Sequence, residues 1–197
     1  MDNAGYKCGF IAVIGPPNAG KSTLVNAYIG EKIAIVTPKP QTTRNQIRGI
    51  LTRDDLQVVF LDTPGVHKPK GVLNRALVHA AWNALSGADM VLAMLDAAQA
   101  LEKPGSLHSI LQIMEGPLKN CGRPLFLALN KVDKVKDKPS LLPLLEDLQA
   151  QFPDAQIHPI SALKQQGMGP LLRSIRETLP KQPPMFPEDQ ISTVPMR

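Results

Sequence analysis

Short apolar runs bounded by turn residues recur along the chain at Phe10–Ile14, Val58–Leu61, Met90–Leu95, Pro124–Leu129 and Ile157–Ile160. Each is the length of a strand and nearly free of polar residues, the pattern of a strand buried on both faces. Between them the spacing becomes helical. Leu73, Leu77, Ala81 and Leu85 recur every four residues, Leu107, Ile110, Leu111 and Met114 share one face, and so do Leu141, Leu144, Leu145 and Leu148. Leu171, Leu172 and Ile175 mark a last helix. Strands alternating with helices call for right-handed crossovers and a mostly parallel sheet covered on both faces.

One segment breaks the rhythm. Gln46–Thr52 and Leu56–Leu61 are separated only by Arg53-Asp54-Asp55, which predicts a hairpin and one antiparallel edge strand. The expected fold is therefore an α/β, three-layer domain with a mostly parallel six-stranded sheet. Residues 180–197 contain Pro180, Pro183, Pro184, Pro187 and Pro195 with little periodicity, so the domain is expected over 1–179, followed by an extended linker or tail outside the core.

Composition narrows the class. A chain of 197 residues with 43% hydrophobic and 20% charged residues suits one soluble globular domain. No apolar run approaches the ~20 residues needed to cross a bilayer, and the N-terminus lacks the apolar stretch of a signal peptide, so a cytoplasmic location is expected. Cys8 and Cys121 stand far apart with no Cys-x-x-Cys partner, which argues against zinc and against a disulfide framework. The net charge of +5 is uneven: between Glu31 and Arg75, eight basic residues face four acidic ones. Such a surface is expected to be either a solvated basic face or a docking surface for an anionic partner. With 4% aromatic residues, it lacks the stacking groups of a single-strand RNA binder.

The chemistry lies at the ends of the strand runs. Gly15-Pro16-Pro17-Asn18-Ala19-Gly20-Lys21-Ser22 matches G-x-x-x-x-G-K-[ST] between a predicted strand and a predicted helix. In such a loop backbone N–H groups turn toward phosphates, Lys21 reaches the terminal phosphates and Ser22 offers an oxygen to Mg²⁺. Asp62-Thr63-Pro64-Gly65 follows Val58–Leu61, placing one carboxylate where it could hold Mg²⁺ and the Gly65 N–H where it could meet a γ-phosphate.

Asn130-Lys131-Val132-Asp133 ends the fourth of these runs. A carboxylate at Asp133 accepts two parallel N–H bonds from guanine N1 and N2, a pair that adenine does not offer, so the nucleotide is expected to be GTP. Asn130 is expected to contact guanine and brace the loop, and the Lys131 stem to cover the ring. A wrong base would leave buried polar groups unpaired, which makes such discrimination strong. Ser161-Ala162-Leu163 would complete the pocket, with the Ala162 N–H available to guanine O6.

These segments, with Gln41-Thr42-Thr43-Arg44-Asn45 and the stretch Pro38 to Arg44, stand in the order of the nucleotide motifs of the Era family of ribosome-assembly GTPases, which the chain resembles over residues ~8–190. The resemblance implies a P-loop G domain hydrolysing GTP to GDP and phosphate with Mg²⁺. It implies nucleotide contacts at Gly15 to Ser22, Thr23, Asp62 to Gly65, Val66, Asn130 to Asp133 and Ser161 to Leu163. Metal ligation would come from Ser22, Asp62 and Thr42 or Thr43, between which the sequence does not choose. Catalytic roles fall to Lys21, Thr42, Thr43, Gly65 and Asn18. Era proteins also carry a KH-type domain that binds small-subunit ribosomal RNA. This sequence ends in a stretch resembling the linker before that domain, so the KH domain is expected to be absent from the chain. A monomer is expected, and the family likeness suggests peripheral contact with the inner face of the cell membrane.

Two departures from the Ras-like pattern bear on hydrolysis. Val66 stands where many GTPases place a water-orienting glutamine, which predicts slow intrinsic turnover supported by Lys21, Mg²⁺ and backbone N–H groups. Asn18 matches the position at which Era relatives use an asparagine oxygen to help hold K⁺, the alternative being an asparagine satisfying its own turn. His67, Lys68 and Lys70 read as solvated loop residues, and Trp82, Met90 and Met94 as core. Three functions remain: a GTP-hydrolysing switch whose loops near 33–45 and 62–75 respond to the γ-phosphate, a nucleotide-dependent binding module with little turnover, and an ATP-using enzyme, against which Asp133 argues.

Overall fold

The computed structural model of the chain describes residues 5–30, 47–61, 85 and 87–187. Within them six strands form one sheet: β1 (Lys7–Ile14), β2 (Ile47–Arg53), β3 (Leu56–Leu61), β4 (Met90–Asp96), β5 (Leu125–Asn130) and β6 (Gln156–Pro159). The order across the sheet is β2-β3-β1-β4-β5-β6, with β2 and β3 antiparallel and every other pair parallel. This is the expected sheet, edge hairpin included. The first strand begins earlier than its apolar run because Lys7, Cys8 and Gly9 pair with Leu56, Gln57 and Val58.

Among the described residues five α-helices accompany it: α1 (Lys21–Ile29), α2 (Ala97–Glu102), α3 (Pro104–Asn120), α4 (Leu141–Gln151) and α5 (Met168–Thr178). The short α2 has no counterpart in the sequence reading. The helix expected over Leu73–Leu85 lies outside the described residues except for Leu85, and so do Trp82, His67, Lys68 and Lys70.

Alternate residues of the strands feed two cores. Ile11 and Val13 of β1 join Phe60, Leu92, Met94 and Phe126 under α1 (Leu24, Val25, Tyr28) and α5 (Met168, Leu171, Ile175). Ala12 and Ile14 join Leu61, Ala93, Leu95, Leu127 and Leu129 under α3 (Leu111, Met114, Leu118) and α4 (Leu141, Leu148). In the central strands β3, β1, β4 and β5, side chains that alternate between two covered faces leave almost none for solvent, so these strands read as apolar runs, whereas the edge strands β2 and β6 are partly exposed. Each fully buried leucine, phenylalanine or methionine contributes about 1.5–3 kcal/mol of transfer free energy. Met90 and Met94 are both core, as their spacing suggests.

Residues 180–184 are extended, in keeping with their prolines, Met185 and Phe186 form a bend, and the segment is bound to the sheet. The Cys8 N–H donates to the Pro180 carbonyl at 3.2 Å and the Gln182 N–H to the Tyr6 carbonyl at 3.1 Å. Gln57, fully buried in β3, accepts the Met185 and Phe186 N–H groups on Oε1 at 2.8 and 3.0 Å. Its Nε2 donates to the Phe186 carbonyl at 2.8 Å and to Thr52 Oγ1 at 3.2 Å. A buried amide needs such partners, since leaving one unpaired costs about 1–3 kcal/mol.

Candidate functional site

The phosphate loop runs from the end of β1 into α1. Gly15 has φ 148°, and a Cβ there would lie 2.4 Å from the Met94 carbonyl of β4. Gly20 caps α1 at φ 97°, and a Cβ there would lie 2.2 Å from Asn130 Nδ2. The two glycines therefore let the loop pass close to the tips of β4 and β5, where side chains would collide. No side chain caps α1 and its first turn carries no acid, so its leading N–H groups suit an anion.

Within the loop Ala19 and Pro16 are buried, whereas Pro17 and Asn18 are exposed, and Asn18 adopts φ 62°. Lys21 Nζ donates to the Gly15 and Pro16 carbonyls, each at 2.9 Å, which folds its ammonium against its own loop. Ser22 and Thr23 are exposed at the start of α1, and the Ser22 hydroxyl accepts a hydrogen bond from Arg48 of β2. No sequence signal marked Arg48 as a neighbour of this loop. Thr42, Thr43, Asp62, Thr63, Pro64, Gly65 and Val66 lie outside the described residues.

Asn130, 2% exposed, joins three segments. Its Nδ2 donates to the Ala19 carbonyl of the phosphate loop at 2.8 Å, and its Oδ1 accepts the Ala162 N–H at 3.0 Å. The expected bracing role is therefore present. The Ala162 N–H, expected to be available to guanine O6, is here bonded to Asn130, which reaches it because β5 and β6 end side by side. Ser161 is buried, its Oγ accepting the Lys164 N–H at 3.1 Å, and Leu163 is 68% exposed.

Lys131 follows at φ 64°, then Val132, Asp133 and Lys134 form a single 3₁₀ turn. The Asp133 side chain takes no hydrogen bond or ion pair from the described residues, which leaves the carboxylate available to a ligand edge. The Lys131 ammonium is held by Asp96 Oδ2 at 2.5 Å. Asp96 escaped the sequence reading although its signal was present: an acid ending an apolar strand run, immediately before Ala97-Ala98. It caps α2, its Oδ1 accepting the Gln99 N–H at 3.1 Å.

For Mg²⁺, the described residues supply one suitable ligand, the hard hydroxyl oxygen of Ser22 at the N-terminus of α1. Its Arg48 partner would have to turn aside for a cation to reach it. Asn18 forms no side-chain hydrogen bond among the described residues, so it does not satisfy its own turn.

The chain is similar in sequence and fold to known proteins. A family model described as 50S ribosome-binding GTPase matches residues 10–131. The GTPase Era of Nitratidesulfovibrio vulgaris (strain DP4) is 50% identical over all 197 residues, which cover 64% of that relative. Less than two thirds of its length is thus represented. Among solved structures, a point variant of Aquifex aeolicus Era bound to GDP·AlF₄⁻ superposes with a TM-score of 0.77 at 37% identity, over 96% of this chain and 62% of that one. Era in complex with MgGDPNP and nucleotides 1506–1542 of 16S ribosomal RNA gives 0.79 at 36% identity, over 96% and 63%.

Proposed function

The chain belongs to the 50S ribosome-binding GTPase family and resembles Era along its whole length, and on that premise we propose that it binds GTP and hydrolyses it to GDP and phosphate as a molecular switch. The observation that carries this reading is Asn130, three residues before the base-reading Asp133 in sequence, whose one side chain ties the phosphate loop to the loop after β6. Asp133 selects guanine by its edge. Lys21 and the first N–H groups of α1 hold the phosphates. Ser22, with Asp62 and Thr42 or Thr43, would hold Mg²⁺, which when bound neutralises charge developing on the terminal phosphates.

Isothermal calorimetry with GDP and GTP analogues in Mg²⁺, followed by single-turnover hydrolysis of GTP, tests this directly. Tight guanine-nucleotide binding with slow release of phosphate is expected. Preference for ATP would sink the reading, and binding without turnover would reduce it to a nucleotide-dependent module. Asp133→Asn should shift preference from guanine toward xanthine nucleotides by about 10²-fold or more.

Two finer features follow from the Era likeness. Val66 leaves the attacking water without a glutamine, so intrinsic turnover is slow. The exposed Asn18, unpartnered among the described residues, serves K⁺ near the phosphates, and faster hydrolysis in KCl than in NaCl is the expected outcome. Equal rates would refute that role.

The relative crystallised with a 16S ribosomal RNA segment points to the small ribosomal subunit as the partner. Residues 1–179 form the GTPase unit and 180–197 the connection toward an RNA-binding domain of the KH type in such proteins. A monomeric, cytoplasmic protein with peripheral membrane contact fits the same family. Among the described residues no helix is long and apolar enough to cross a membrane. Co-sedimentation with purified small subunits, in GDP and in a GTP analogue, tests the partner, and identical behaviour in both states would remove the switch.

A further inference from the structure

Asp96 and Asn130 are the last residues of neighbouring parallel strands and stand opposite each other in the register of β4 and β5. Lys131, the next residue, reaches back across those two strand tips to place Nζ on Asp96 Oδ2 at 2.5 Å. Both partners are largely shielded, at 23% side-chain exposure for Lys131 and 13% for Asp96, so water screens this pair less than a surface one. The carboxylate is itself fixed, because its second oxygen accepts the Gln99 N–H. The lysine backbone lies in the left-handed region, φ 64°, which turns the chain so that the stem spans the strand tips instead of running on with β5.

We propose that Asp96 is a positioning residue for the purine nucleoside. By clamping the Lys131 ammonium, it holds the four-carbon stem in place as an apolar wall for one face of the base. This rests on the guanine-nucleotide reading given above.

A free lysine side chain is among the most rotamer-rich, so ordering it carries a large entropic cost. With Asp96 present, that ordering precedes ligand binding, and a preorganised wall gains affinity by avoiding the loss during association. The chemistry differs from that of Asp133. Asp133 reads the ring's edge and discriminates between bases. A methylene stem touches only the face, which guanine and hypoxanthine share, so its contribution is blind to the exocyclic amine.

Titration calorimetry of GDP and inosine diphosphate against the wild type, Asp96→Asn, Lys131→Met and the double variant tests the proposal. Asp96→Asn keeps an oxygen for the Gln99 N–H and removes only the charge. Each single variant should bind GDP about tenfold more weakly and inosine diphosphate more weakly by the same factor, because each removes the ion pair that holds the stem against the shared ring face. The double variant should lose about tenfold in all, not a hundredfold, since both substitutions cut one interaction. Asp96→Glu, which retains the charge, should recover part of the affinity.

If Asp96 acted on binding only through its helix cap, independently of Lys131, the two losses would multiply, and that result overturns the proposal. So does Asp96→Asn binding GDP as tightly as the wild type, or a loss confined to GDP. Failure of the wild type to bind GDP is distinguishable from all of these, because it removes the functional reading itself.

Discussion

Gln57 and Phe186, 129 residues apart, are bonded in both directions: Gln57 Nε2 donates to the Phe186 carbonyl at 2.8 Å, and Gln57 Oε1 accepts the Phe186 N–H at 3.0 Å. A buried strand amide thereby substitutes for a neighbouring strand and pins the segment that leaves α5. Gln57 also touches Cys8, whose Sγ lies 3.6 Å from Oε1, and the backbone of Cys8 is bonded to Pro180 and Gln182.

Cys8 is therefore a reporter of the strap. Burial raises its thiol pKa, so it should resist alkylation while the segment is docked. Gln57→Leu removes the bonds to Met185 and Phe186, and the native-state alkylation rate of Cys8 should rise on the order of tenfold, which corresponds to about 1.4 kcal/mol of lost docking free energy. Mass spectrometry of iodoacetamide-treated protein measures it. An unchanged rate would mean that the backbone bonds at Pro180 and Gln182 hold the strap without Gln57.

Gly20→Ala places a methyl at φ 97° against Asn130 Nδ2. The left-handed backbone alone costs about 1–2 kcal/mol, and the collision pushes Asn130 off Ala19 or Ala162. A fall in Tm of several degrees and loss of GDP binding are expected by differential scanning fluorimetry. In an Asn130→Ala background the same substitution should cost less, because the collision is gone while the dihedral penalty remains.

His158 of β6 sits against Phe126, with ring centroids 5.3 Å apart, and its buried Nε2 has no hydrogen-bond partner among the described residues. Burial lowers its pKa below the ordinary imidazole value of 6.5. The unfolded chain therefore takes up a proton that the folded chain refuses, so stability present above pH 6.5 is lost as the pH falls through that value, by at most about 1.4 kcal/mol per unit. Urea unfolding at pH 7.5 and 5.5 should show this loss in the wild type and a smaller one in His158→Phe. Equal losses would assign the acid sensitivity to other groups.

The Arg176–Asp55 ion pair offers a contrast. Its side chains are 47% and 54% exposed, and solvent screens such pairs to about 0–1 kcal/mol. Asp55→Asn should change chemical-denaturation stability by less than about 1 kcal/mol, and by less still in 0.5 M NaCl.

The period of apolar residues determined the sheet. Runs such as Met90–Leu95 and Pro124–Leu129 have no polar face to show to water, so they become buried parallel strands, and the two-residue Asp54-Asp55 turn forces the β2–β3 hairpin, with Arg53, read from the sequence as part of the turn, ending β2. The phosphate and base motifs were equally legible, because their chemistry requires fixed residue types at fixed spacing along the chain. Contacts between segments distant in sequence were not. The engagement of Ala162 by Asn130, the clamp of Asp96 on Lys131, the approach of Arg48 to Ser22 and the capture of Met185 and Phe186 by Gln57 all depend on which strand tips the crossovers bring side by side. A local pattern records which way a residue faces. Only the packed sheet decides what it meets there, since those partners are chosen by strand order and register.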